Sequence, residues 1–320
     1  MQTPTAGVQV THVPSRWAPS RFASTWRQEA RSLVCPETPR LDGQWALVTG
    51  GSEGVGLGTC RGLLQRGARV ITASRSAAKG ERACEQLRGE LAADAPISHV
   101  PLDLSDLSRV EAAAAALTTR LGDAQLDVLV CNAGLWPQRH GVSPQGHELA
   151  FATNVLGHFL LLRHLVGRRL AVDARVVIVT GDIYILAKDC SSDYGYRTPL
   201  GGMLAYCRSK LGNLWLAREL QRRHPQLHVR VAHPGVVATS LGGARKGIGD
   251  AISRRMLLDA ERGAQTTLYC VTQPGVPDGA YLHNVLGIMK LCDADPASDD
   301  VRAAQLWDRC EALCEGHLPD

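Results

Sequence analysis

The 320-residue chain has no apolar run near the length of a membrane span and no signal-peptide pattern. Neither a helical membrane protein nor a secreted one is indicated. It also lacks a dense basic run: 35 Lys and Arg against 31 Asp and Glu leave a formal charge of +4. That charge is too small and too dispersed for a nucleic-acid surface. The ten cysteines form no C-x-x-C pair and no metal-ligand spacing, so no metal site and no disulfide framework is expected. Cys60, on a helical stretch, and Cys131, at the end of an apolar one, read as reduced core thiols of an intracellular, cytoplasmic protein. There is no internal repeat, no low-complexity segment and no linker after residue 41. With 45% apolar residues, the chain can bury a substantial core in one domain.

What is present is organised around Leu47-Val48-Thr49-Gly50-Gly51-Ser52-Glu53-Gly54-Val55-Gly56. Trp45–Thr49 reads as a short buried strand, and from Val55 to Gln65 the apolar spacing is helical. The stretch is therefore strand, glycine turn, helix N-terminus. Unpaired N–H groups and the positive end of the helix dipole suit a pyrophosphate there. The spacing is G-x-x-x-G-x-G rather than G-x-G-x-x-G, and a glycine turn alone is weak evidence.

Residues 1–40 form an N-terminal arm with Pro4, Pro14, Pro19, Pro36 and Pro39. A short helix around Ala23–Leu33 is expected to pack on the domain. Arg16, Arg21 and Arg27 precede the first acid, Glu29, a bias that leaves a mitochondrial address open. Strands are expected at Arg69–Ala73, Ser98–Leu102, Asp127–Cys131, Arg175–Thr180, His228–Ala232 and Gly279–Asn284. Helices are expected at Ala77–Leu91, Ser105–Leu121, His147–Leu170 and Met203–Arg223. This rhythm predicts an α/β fold over residues 41–290, a doubly wound (Rossmann) parallel sheet with helices on both faces. Residues 291–320 form a tail ending in a helix, Val301–Cys314.

Candidate site residues fall at successive carboxyl ends of strands, where open α/β sheets bind ligands. Gly50, Ser52, Glu53, Gly54, Val55 and Gly56 form the turn. Arg75 follows the second strand, where an acidic residue would select NAD and an arginine can pair with the 2′-phosphate of NADP. NADP(H) is therefore preferred, with NAD(H) as the alternative. Asp103 and Leu104 can meet an adenine edge, although Asp103 is equally a helix cap. Asn132, Ala133 and Gly134 can wall the cleft. Tyr206 and Lys210, four apart on a helix, share a face. An ammonium beside a phenol favours the phenolate, and such a phenol can exchange a proton with a carbonyl oxygen as hydride moves at carbon.

These motifs, with Asn154-Val155-Leu156-Gly157-His158-Phe159 and His233-Pro234-Gly235-Val236-Val237-Ala238-Thr239, resemble the short-chain dehydrogenase/reductase family and its retinol-dehydrogenase-like branch. The resemblance covers roughly residues 41–290. It implies Tyr206 as acid/base, Lys210 as its pKa modulator and ribose anchor, and Asn154 as organiser of a water relay. It also implies that Pro234, Gly235 and Val237 border the nicotinamide and that Thr239 reaches its amide or the pyrophosphate. The membrane anchor that such enzymes often carry before this region is not seen. Glu53 stands where some NADP-binding relatives have a basic residue. The substrate partner expected is a small lipophilic carbonyl or alcohol, with a homodimer as the assembly considered.

One departure matters. The family's serine after the fifth strand falls at Gly181 here, and Thr180 matches the serine before it. Thr180, Asp182, Ser191 and Ser192 are the replacements to weigh. The leading expectation is an NAD(P)-dependent oxidoreductase that interconverts a lipophilic alcohol and its ketone or aldehyde. The alternative is a weak or inactive dinucleotide-binding protein acting as a partner or scaffold. Leu135, Trp136, His140, Tyr184, Tyr194, Tyr196 and Met203 are candidate substrate neighbours, as is the segment 240–258 with Arg245, Lys246, Arg254 and Arg255.

Overall fold

The computed structural model describes residues 8–238 and 257–319. Thr239 and the basic residues Arg245, Lys246, Arg254 and Arg255 lie outside the described residues.

Nine strands form one sheet: β1 (Val10–Val13), β2 (Trp45–Thr49), β3 (Arg69–Ser74), β4 (Ile97–Pro101), β5 (Leu126–Cys131), β6 (Leu170–Val179), β7 (His228–His233), β8 (Tyr281–His283) and β9 (Gly287–Leu291). Their spatial order is β1-β9-β8-β7-β6-β5-β2-β3-β4. Every pair is parallel except the β8–β9 hairpin. The strand order reverses between β2 and β5, the switch point at which a doubly wound sheet opens a crevice.

Side-chain alternation sorts the β2 residues between two cores. Leu47 joins Ile71, Leu129, Phe159 and Trp215 on one face of the sheet. Val48 joins Val70, Leu63 and Leu268 on the other. The helices are α1 (Pro19–Arg31), α2 (Gly54–Gln65), α3 (Ala77–Glu90), α4 (Leu107–Leu121), α5 (Leu149–Phe151), α6 (Gly157–Leu165), α7 (Pro199–Arg223), α8 (Ala260–Thr272) and α9 (Asp300–Leu313). None among the described residues is long and apolar enough to cross a membrane.

Three departures from the periodicity bear on the site. The helix expected over His147–Leu170 starts at Leu149, passes through a π-turn at Ala152–Leu156 and stops at Leu165, where Gly167 takes φ 73°. α7 begins at Pro199 rather than Met203, because the Thr198 side chain caps it by accepting Gly201 N at 3.3 Å and proline suits the first turn. The segment before residue 41 is also built into the sheet, with β1 pairing with β9.

α1 runs over Pro19–Arg31, earlier than the Ala23–Leu33 expected, and it docks by its polar side. Its buried residues are Arg21, Ser24 and Gln28, whereas Phe22 is 50% and Trp26 74% exposed.

Candidate active site

The glycine turn takes its shape from close approach. Gly50 (φ 68°) and Gly54 (φ 56°) occupy left-handed backbone, which glycine adopts without a Cβ penalty. A Cβ at Gly56 would stand 2.2 Å from Gly50 O. Glu53 holds the N-cap position of α2 without a side-chain capping bond, so the amides of the first turn keep their donors for an anion. This is the cradle that a pyrophosphate requires. Thr49 Oγ1 stitches the switch point together by accepting both Asn132 N and Ala133 N at 3.0 Å. Asn132 Nδ2 donates back to Thr49 O at 2.8 Å.

At the other end of the crevice, Arg75 lies exposed on a cleft of about 600 Å³ lined also by Leu102, Asp103, Asp106 and Arg109. Asp103 Oδ1 is engaged locally by Ser105 N at 3.0 Å and Ser105 Oγ at 2.6 Å. The Leu104 side chain is buried in the core, and its carbonyl packs where a Gly157 Cβ would be, at 2.2 Å. Lys79, which the sequence reading passed over, pairs with Glu53 at 3.2 Å. Both are exposed, so the pair adds little stability.

Tyr206 and Lys210 share the face of α7 that looks at the end of β6. Lys210 Nζ donates to Val179 O at 3.1 Å and lies 5.3 Å from the centroid of the Tyr206 ring. Burial pushes the Tyr206 phenol well up and pulls the Lys210 ammonium down to about 8. Among the protein's own groups desolvation is the largest influence on both, and it penalises both charged forms. Trp136 stacks on Tyr206 with centroids 5.1 Å apart and planes at 6°. The stack forms because Gly202 lacks a Cβ that would fall 2.1 Å from Pro137 O, which lets the loop after β5 close on α7.

Asn154, in the π-turn, is fully buried. Its Oδ1 accepts Leu135 N at 2.7 Å, and its Nδ2 donates to Leu135 O at 3.0 Å and Ser209 Oγ at 2.8 Å. It thus clamps the loop after Gly134 to α7. Its carbonyl faces His158 Nδ1 at 3.1 Å, and His158 Nε2 meets Thr49 Oγ1 at 2.9 Å. A carbonyl can only accept, so the His158 proton sits on Nδ1. One chain of bonds therefore joins α7 to the glycine turn.

Gly181 has extended backbone, φ −143° and ψ 138°. A Cβ built there would lie 3.9 Å from Tyr206 Oη and 3.8 Å from Lys210 Cγ, so position 181 faces the reacting pair. Three of the four candidate substitutes have their side chains engaged elsewhere. Thr180 Oγ1 donates to Lys210 O at 2.8 Å, as strand alternation requires, so the threonine does not serve as the missing donor. Asp182 is bound by Arg21. Ser191 Oγ accepts Arg208 Nη2 at 2.7 Å; at Ser192 the backbone carbonyl accepts Glu148 N at 2.7 Å. Tyr184, weighed as a substrate neighbour, is a core residue bonded to Arg21 and Asp295. Tyr196 packs against His140 and Tyr194.

Pro234, Gly235 and Val237 close the crevice. Gly235 takes φ 86°. Val237 Cγ2 would lie 2.7 Å, and Val55 Cγ2 3.0 Å, from a Cβ at Gly263. The loop after β7 thus spans from the end of β7 to the helix of the glycine turn.

Three buried histidines make the domain acid-labile. His158 and His233 are lowered to about 4 and His283 to about 3, burial being the largest cause in each. Lys210 adds repulsion at His158 and His233, Arg21 adds it at His233 and His283, and Asp182 opposes at the latter two. Unfolded imidazoles take up protons below about pH 6.5 while the folded ones stay neutral until near pH 4. Stability is therefore present above that range and lost as pH falls through it, by roughly 2–3 kcal/mol per independent imidazole. His233 and His283 stack at 4.6 Å and titrate together rather than additively. Tm should drop by roughly 5 °C or more between pH 7 and 4.5. A calorimetric Tm that is flat over that range would contradict this.

Comparison with known proteins gives a consistent picture. Residues 44–243 match the short chain dehydrogenase family. Retinol dehydrogenase 14 of Homo sapiens is 33% identical over 321 residues, covering 89% of this chain and 93% of the relative. Retinol dehydrogenase 12 of Bos taurus is 34% identical over 297 residues, covering 88% and 89%. A crystal structure of an uncharacterised protein from Mycobacterium paratuberculosis matches with a TM-score of 0.71 at 30% identity, covering 90% of this chain and 100% of that one.

Proposed function

The chain belongs to the short chain dehydrogenase family, and from that premise we propose that it is an NADP(H)-preferring oxidoreductase that interconverts a lipophilic alcohol and its ketone or aldehyde. The observation that carries this reading is the convergence of Tyr206, Lys210 and the Asn154-clamped loop on the open position beside Gly181. The dinucleotide supplies or accepts the hydride when bound. Gly50, Gly54 and the first-turn amides of α2 would hold its pyrophosphate, and Arg75 its 2′-phosphate. Asn132, Ala133 and Gly134 would wall the crevice.

Tyr206 exchanges the proton with the substrate oxygen. Burial raises the pKa of its phenol, favouring the neutral form, which can donate to a carbonyl oxygen. Trp136 covers one face of the Tyr206 ring and gives the substrate side an apolar wall, in keeping with a lipophilic ligand such as the retinoid named in the relatives. The test is a thermal-shift comparison followed by turnover of a carbonyl panel that includes all-trans-retinal. NADPH should raise Tm more than NADH, and Arg75→Ala should shrink the difference. An equal or larger shift with NADH would overturn the cofactor preference.

One observation favours a second reading, a dinucleotide-binding partner protein: the position that faces Tyr206 Oη carries a glycine, not a hydroxyl. Binding of NADPH without turnover of any carbonyl in the panel would select it.

A further inference from the structure

We propose that α1, which precedes the family-matched region, belongs to the catalytic apparatus, with Arg21 and Gln28 as positioning residues for the two strand-end loops that frame Tyr206. This rests on the dinucleotide site proposed above and extends it to residues outside it.

The first loop follows β6. Arg21 Nε donates to Asp182 Oδ2 at 3.0 Å, and its Nη2 donates to Asp182 Oδ1 at 2.6 Å and Tyr184 Oη at 2.7 Å. Its Nη1 donates to Asp295 Oδ2 at 2.9 Å, and Tyr184 Oη donates to Asp295 Oδ1 at 3.0 Å. Tyr281 Oη completes the set at 3.0 Å from Asp182 Oδ1. Asp182 directly follows Gly181, the residue that faces Tyr206, and Asp182 N donates to His233 Nδ1 at 3.3 Å at the end of β7. The guanidinium fork therefore holds the end of β6 in place through a bidentate bond that lysine cannot reproduce. It also neutralises a carboxylate that would otherwise repel an oxyanion forming at the neighbouring position. Burial works against the charged Asp182, yet the bonds and charge of Arg21 keep the carboxyl below its usual range.

The second loop follows β7. The Gln28 amide pairs with both backbone groups of Val236: Val236 N donates to Oε1 at 3.0 Å, and Nε2 donates to Val236 O at 3.1 Å. Gly235 leaves room for this grip, since a Cβ there would stand 2.7 Å from Gln28 Oε1 and 2.4 Å from Asn284 Nδ2. The far end of α1 is tied to the same edge by Leu33 N donating to Asn284 O at 2.6 Å.

Stability alone does not account for this docking. A helix carrying Phe22 and Trp26 would gain more by burying them than by burying Arg21, Ser24 and Gln28, because buried ion pairs roughly break even against apolar contacts. What the polar face does provide is geometry. It defines where Gly181 and Val236 sit relative to Tyr206, on the side of the crevice away from the adenosine cleft at Arg75.

The test compares two ligands on the full chain by protein-fluorescence titration: NADPH, which reaches the loops, and 2′,5′-ADP, which does not. Gln28→Leu should weaken NADPH about tenfold, the effect of two lost hydrogen bonds, and leave 2′,5′-ADP within about twofold. Arg21→Lys should show the same selective loss, and Gln28→Glu, which keeps the acceptor, should fall between Gln28→Leu and wild type. Should Gln28→Leu fail to fold by circular dichroism, Gln28→Glu carries the same comparison. Equal weakening of both ligands, or of neither, overturns the proposal. Selective weakening with no carbonyl turned over by the wild type sinks the proposed reaction and leaves this inference standing. Absence of NADPH binding to the wild type sinks both.

Discussion

Tyr206→Phe should lower turnover by roughly 10²–10⁴-fold, the range spanned by loss of a positioned general acid, while NADPH affinity stays within about twofold of wild type. The substitution removes one oxygen and keeps the ring that stacks on Trp136 at 5.1 Å. That oxygen has no hydrogen-bond partner among the described residues, so no buried group loses its partner and Tm should scarcely move. The loss should appear in kcat rather than KM, because the proton is exchanged only as the carbonyl bond reacts. Single-turnover oxidation of NADPH by the Phe variant at near-normal rates would show that another group supplies the proton.

The second large effect is a gain. Gly181→Ser should raise the reductase rate on at least one carbonyl by about tenfold or more, since one preorganised donor to an oxyanion is worth ~10²–10³. The backbone at 181 is extended, which any residue adopts. A Cβ there meets nothing closer than Ile183 Cγ2 at 3.7 Å. The serine hydroxyl, one bond beyond that Cβ, would point at the space beside Tyr206 Oη. Gly181→Ala supplies the control, as it removes the same backbone freedom without adding a donor and should leave the rate unchanged. Measured kcat values on the whole carbonyl panel decide the matter: a Ser variant no faster than wild type on every substrate would mean that the donor is not what limits this site.

Much of the site could be read before the fold was known, because its signals are local. The glycine turn, Asn132-Ala133-Gly134 and the Tyr206–Lys210 spacing each act within one strand-end or one helical turn, so adjacent residues carry the whole message. The strand order and the switch point follow from alternation of strands and helices under the handedness of parallel crossovers. Gly181 was legible as a departure at a fixed place after an apolar strand.

Other features stayed hidden because they depend on residues far apart in the chain. The burial that raises the Tyr206 phenol is a property of everything packed around it. Leu104 went to the core because Gly157, some fifty positions away, leaves room for its backbone. β1 is a short edge strand with no periodicity of its own, and it is held by pairing with β9, which pairs in turn with β8.

The N-terminal segment shows the division most clearly. Its sequence alone determined a proline-rich arm with a short helix, expected over Ala23–Leu33. Which side would face the protein was decided only in three dimensions, where Asp182, Asp295 and Val236 converge on one surface. A buried arginine needs its donors matched, and only the assembled end of β6 and the segment after β9 supply those partners.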